Sequence, residues 1–118
     1  MDKKSEDVAC GACSDTAQAA GEDQITNFAT SCPEWEIKTE LDIIFLTRTY
    51  LFPDFVQASA FAGKVGAIAE QANHHPRIII EYGKTRVDWW SHKIANIHPL
   101  DLKLAADTDK LFKTNETK

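Results

Sequence analysis

The stretch PDFVQASAFAGKVGAIAEQANHHPRIIIEY, residues 53–82, changes its period partway along, and that change decides the fold class. Up to Ala72, the apolar residues Phe55, Ala58, Ala62, Val65, Ala69 and Ala72 recur at three- and four-residue steps. That spacing lines one face of a helix. Pro53-Asp54 suits its opening, because proline tolerates the first turn and a carboxylate favours it. Pro76 disfavours the helical conformation at the residue before it, so the helix is expected to end at about His74. RIIIEY then reads as a strand, since β-branched and aromatic side chains fit a pleated surface. Gly63 and Gly66 each cost about 1 kcal/mol against Ala in a helix interior. The helix is therefore expected to pack very closely against a neighbour there.

Farther along, TRVDWWSH is a second strand joined to RIIIEY by a short turn containing Gly83 and Lys84. Alternation puts Val87, Trp89 and Ser91 on one face and Arg86, Asp88, Trp90 and His92 on the other. Upstream, EDQITNFATS offers Ile25, Phe28 and Ala29 at helical spacing with acids in its first turn, and Cys32-Pro33 stops it. EWEIKT alternates Trp35 and Ile37 against charges and predicts a half-buried strand. LDIIFLTRTYLF predicts a longer one, paired with the first as a hairpin around Glu40 to Asp42. Downstream, HPLDLKLAADTDKLF is a helix with Leu100, Leu104 and Leu111 on its apolar side. The order α-β-β-α-β-β-α implies an α+β fold, a four-stranded antiparallel sheet with three helices on one face.

A length of 118 residues is about one domain. Residues 22–118 carry the pattern. Residues 1–21 hold Val8 as their only large aliphatic after Met1 and predict a disordered tail. Cys10 and Cys13 have the spacing of half a zinc site or a redox pair, but only Cys32 remains to complete a set. Two thiols on a mobile tail, in a reducing compartment, are the simpler expectation. A net charge of −5 with scattered Lys and Arg argues against nucleic acid as a partner. No stretch has the apolar length of a membrane span, and MDKKSEDVACGAC lacks a signal-type apolar core, so a cytoplasmic location is expected.

Chemistry concentrates in the four histidines, all between His74 and His98. Glu70 and His74 are four apart, on one helical face. His75, past the helix end, points elsewhere. The hairpin returns His92 to the level where the chain left His75. Asp101, in the first turn of the last helix, is placed to orient one ring and fix its tautomer. Imidazole titrates near 6.5, so such a group suits a reaction needing an acid and a base together. Zinc held by three His, or by two His and Glu, is the rival chemistry. The i,i+4 pair here is Glu and His rather than two histidines, and free imidazoles without a metal are the expected reading.

The motif Glu70-x3-His74-His75-Pro76, with Tyr82, His92 and Asp101 at their spacings, resembles the pterin-4a-carbinolamine dehydratase family. DLKLAA is similar to that family's closing helix, and the likeness in element order runs from Glu22 to Phe112. Ile78 stands where many members have an aromatic residue. Asn96-Ile97 replaces Gly-Leu, with Asn expected to supply the left-handed turn conformation. Pro99 opens the last helix in place of a Thr or Ser cap.

The resemblance implies removal of water from 4a-hydroxytetrahydropterin to give the quinonoid dihydropterin, which regenerates the cofactor of aromatic amino acid hydroxylases. It implies His74, His75 and His92 as the active imidazoles, with His74 and His92 acting on the substrate and His75 positioning it. Glu70 and Asp101 would hold the rings. Pro76 would shape the pocket, and Ser91, Lys93 and Ile94 would line it, with Trp90 a candidate for stacking on the pterin. No cofactor or metal is implied. The implied partners are the pterin itself, further copies in a homodimer or homotetramer, and an aromatic amino acid hydroxylase. A pterin-processing paralogue in molybdopterin metabolism and a non-catalytic dimerisation adaptor are the alternatives.

Overall fold

The computed structural model describes residues 18–116, so Cys10, Cys13 and most of the expected tail lie outside the described residues. Its elements are α1 (Glu22–Ser31), β1 (Glu36–Glu40), β2 (Ile43–Leu51), α2 (Phe55–Ala72), β3 (Arg77–Glu81), β4 (Lys84–Trp89) and α3 (Pro99–Glu116). The four strands form one antiparallel sheet in the order β1-β2-β4-β3. The expected α+β architecture and its element order are both present. Gln18 to Gly21 precede α1, and the Ala20 N–H donates to the Ile97 carbonyl at 2.7 Å.

Local chemistry explains the boundaries. The Asp54 side chain accepts the Gln57 N–H at 2.9 Å and caps α2. At its other end the chain turns at Asn73, left-handed at φ 52, whose N–H closes on the carbonyls of Ala69 and Glu70. The helix thus stops at Ala72, two residues short of the expected His74, because Asn accepts the left-handed conformation before Pro76 can act. The β1–β2 turn places Leu41 and Asp42 both at positive φ, the geometry that matches the twist of a two-residue hairpin.

Two expectations need correction. All of β1 is exposed, and Ile37 is 48% exposed, so this is an uncovered edge strand rather than a half-buried one. Helix α1 packs against α3 instead of over β1, and only Trp35, just before the strand, is buried. Nor do Gly63 and Gly66 mark a close approach within the chain. A Cβ at either position would meet nothing within 4 Å.

The core lies between the sheet and its helices. It contains Leu46, Tyr50, Phe61, Val65, Val87, Trp89, Leu104 and Ala105, each 3% exposed or less. Helix α2 rests on β3 and β4, and α3 rests on α2, β2 and β4. A polar joint seats α3. Asp109 accepts hydrogen bonds from Trp35 Nε1 (3.1 Å), Arg48 Nη1 (2.7 Å) and Tyr50 Oη (2.6 Å). Burial and this carboxylate push the Tyr50 phenol far above its ordinary range, so it remains a donor. Replacing Asp109 with Ala leaves three donors without their acceptor. Chemical denaturation of Asp109→Ala is expected to show a loss of about 3 kcal/mol.

Candidate active site

The β3–β4 ladder ends at Arg77↔Asp88, and the β2–β4 ladder at Leu46↔Trp89. The chain segments 73–76 and 90–98 therefore leave the sheet at the same end, where α3 begins. Residues 91–96 form a tight loop closed by a Ser91–Asn96 bridge, with Ser91 N–H donating to the Asn96 carbonyl at 2.9 Å. The left-handed residue of this loop is Ala95, at φ 53, and not the expected Asn96. Asn96 instead uses its side-chain carbonyl to accept the Ile97 N–H at 2.6 Å.

Asp101 is the centre of the site. Its carboxylate is fully buried. One oxygen, Oδ1, bonds His74 Nε2 at 2.6 Å. The other, Oδ2, accepts from Ser91 Oγ at 2.7 Å and from the His98 N–H at 2.9 Å. A buried carboxylate is costly unless paired and hydrogen-bonded, and these three contacts meet that demand. The start of α3 adds the positive end of its dipole. Because a carboxylate accepts, the Nε2 of His74 carries the proton, which fixes the tautomer of a ring that is itself only 5% exposed. That ring lies stacked on Trp89 at 6.0 Å and 10°. Trp89 in turn donates through Nε1 to Thr108 Oγ1 of α3. The sequence-predicted residues His74, Ser91 and Asp101 thus form one hydrogen-bonded group.

The remaining predicted residues are arranged differently. Glu70 bonds His75 at 3.0 Å rather than His74, and both side chains are more than half exposed. The left-handed turn at Asn73 explains the exchange. It swings His74 inward to Asp101 and leaves His75 over the last turn of α2. Pro76 is trans and half-buried. Lys93 is exposed and Ile94 half-buried, both in the 91–96 loop.

His92 is exposed and stacks on Trp90 at 4.8 Å and 23°. The Arg77 guanidinium lies 4.9 Å from the centre of that indole, and Phe45 packs against it at 5.8 Å. With these three neighbours Trp90 is 8% exposed, so its ring is already covered and does not offer an open face for a heterocycle. Trp89 and Trp90 point to opposite faces of the sheet, so His74 belongs to the helix-covered side and His92 to the open side of the same sheet end. Among the described residues, no three His, Cys, Asp or Glu side chains converge closely enough to hold a metal ion.

Sequence reasoning missed three contributors. Trp89 was legible as a core residue from its alternation, but not as the platform for His74. Arg77 is anchored by the fully buried Asp88 at 2.8 Å, a contact between facing strand residues that only the register reveals. His98 supplies both a backbone donor to Asp101 and a ring acceptor to the helix. The sharing of Asp101 yields a direct expectation. Asp101→Ala leaves His74 and Ser91 without their buried acceptor and is expected to cost about 3 kcal/mol in denaturant unfolding. Nitrogen-15 spectra of the imidazoles should show His74 losing its single Nε2–H tautomer.

Comparison with known proteins agrees with the fold. The family model for pterin 4 alpha carbinolamine dehydratase matches residues 18–111. A protein of Nitrosococcus oceani, provisionally named as such a dehydratase, is 44% identical over 88% of this chain and 92% of its own length. One from Chlorobium limicola with the same provisional name is 39% identical over equal shares. Among solved structures, a transcriptional coactivator/pterin dehydratase from Brucella melitensis superposes with a TM-score of 0.69 at 22% identity, covering 80% of this chain and 98% of that one. The last likeness speaks for the fold.

Proposed function

From the premise that this chain belongs to the pterin 4 alpha carbinolamine dehydratase family, we propose that it dehydrates 4a-hydroxytetrahydropterin to the quinonoid dihydropterin by histidine acid–base catalysis. The observation that carries the reading is His74, fixed in one tautomer on the buried Asp101, at the sheet end where the segments bearing the exposed His75 and His92 also leave the strands.

The reaction needs little beyond proton transfer. The N5 electron pair forms the C4a=N5 bond while the C4a–O bond breaks. An imidazolium gives the departing hydroxide its proton, and a neutral imidazole removes a proton from a ring nitrogen. The net loss is one water. Positioned acid–base groups of this kind contribute about 10²- to 10⁴-fold each. Exposure supports a modified division of labour among the three rings. His75 and His92 carry the accessible edges and would exchange protons with the substrate, whereas His74 would act from the wall, oriented by Asp101. Glu70 would orient His75 as Asp101 orients His74. Pro76, Ser91, Lys93 and Ile94 would frame the substrate.

Recycling of the cofactor of an aromatic amino acid hydroxylase in the cytoplasm is the physiological role that follows from this chemistry. Assembly into dimers or tetramers would use surface outside the site. The exposed side of α2, where Gly63 and Gly66 leave room for a neighbouring backbone, is the region suited to such contact.

An absorbance assay of a 4a-hydroxypterin converting to its quinonoid product tests the proposal. The protein is expected to accelerate the conversion, and His75→Ala and His92→Ala are each expected to lower kcat/KM by about 10²-fold or more. Acceleration that survives both substitutions would remove histidine catalysis from the account.

A further inference from the structure

His98, the fourth histidine, has no part in the chemistry above, yet its contacts run into the centre of the site. It precedes Pro99, the first residue of α3, and so occupies the N-cap position. Its Nδ1 accepts the Leu100 N–H at 3.0 Å. Its own N–H donates to Asp101 Oδ2 at 2.9 Å, and its carbonyl accepts the Asp101 N–H at 2.8 Å. This is the reciprocal logic of a capping box: the cap side chain takes one of the helix's unpaired N–H groups, and the third helical residue's carboxylate takes the cap's N–H. Here that carboxylate is the one already holding His74 and Ser91.

We infer that His98 is a positioning residue for the dehydratase site, a latch that sets Asp101 and through it His74, and that the latch holds only while its imidazole is neutral. The inference rests on His74 and Asp101 being site residues. A neutral ring with its proton on Nε2 can accept at Nδ1. A protonated ring presents N–H to N–H at Leu100 and adds a positive charge at the positive end of the helix.

The groups facing the ring act in opposite senses. Asp101, from α3, favours the charged form, while His74, from the link between α2 and β3, opposes it. Burial is the largest influence; with His74 it outweighs Asp101 and holds His98 below the ordinary histidine value. The sign of the pH effect follows. The unfolded chain takes up this proton near pH 6.5 and the folded chain only at lower pH, so His98 makes stability fall as pH drops below about 6.5.

Three chains test the inference: wild type, His98→Asn and His98→Ala. The Asn side-chain carbonyl can accept the same N–H and has no proton to gain. His98→Asn is expected to match wild type in melting temperature and kcat at pH 8, and to be the more stable of the two at pH 5. His98→Ala is expected to lower the folding equilibrium constant about fivefold at pH 8 and to reduce kcat with KM nearly unchanged. Its His74 nitrogen-15 signals should no longer report one tautomer. Wild-type and His98→Asn melting curves that stay parallel from pH 8 to 5 would overturn the latch, as would an unaltered His74 signal in His98→Ala. The spectra and melting curves need no turnover, so they separate failure of this inference from failure of the dehydratase reading.

Discussion

A single buried carboxylate ties together three parts of the chain that would otherwise be independent. Asp101 bonds His74 from the link after α2, Ser91 from the loop that follows β4 and the backbone of His98 at the start of its own helix. Fully removed from water, it is stable only while those partners are present. The geometry of the sheet end is therefore not adjustable piece by piece. Moving α3 would strand the carboxylate, and moving the 73–76 link would strand His74. This mutual dependence keeps a histidine in one orientation and one tautomer.

Packing transmits the constraint. His74 lies on Trp89, Trp89 bonds Thr108, and α3 is fastened farther along through Asp109 to Trp35, Arg48 and Tyr50. Helix α3 thus meets its neighbours at three polar points, Asp101, Thr108 and Asp109, with the apolar Leu104 and Ala105 packed between the first two. On the open face a second arrangement serves His92. Asp88, buried near the end of β4, holds Arg77 and Arg86, and Arg77 covers the indole on which His92 stacks. The two faces of one strand end thereby support two imidazoles by different means, a carboxylate on one side and an aromatic ring on the other.

Much of this was legible in the sequence. Helical spacing before Asn73 and β-branched runs after Pro76 sufficed for the element order, because apolar period is what packing against a sheet selects. The residue types around His74 marked the region that the geometry then assembles into a hydrogen-bonded group. What stayed hidden depended on three-dimensional neighbours. The i,i+4 spacing of Glu70 and His74 implied a pair, but a left-handed turn at Asn73 redirected each partner. Ile37 alternated as a half-buried strand residue should, yet nothing in its own segment says that α1 packs elsewhere. Trp90 looked free for stacking because the arginine that covers it comes from the neighbouring strand. His98 passed unnoticed because an N-cap histidine does the work usually given to Ser, Thr, Asp or Asn.

The central claim is that Asp101 and His74 are energetically one unit. A double-mutant cycle on folding stability, using Asp101→Asn, His74→Gln and the pair, measures this directly. The account predicts a coupling free energy of roughly 1 to 3 kcal/mol, with the double variant far less destabilised than the sum of the singles. Additive effects would mean that the two side chains contribute separately, and the picture of a carboxylate organising the site would be wrong.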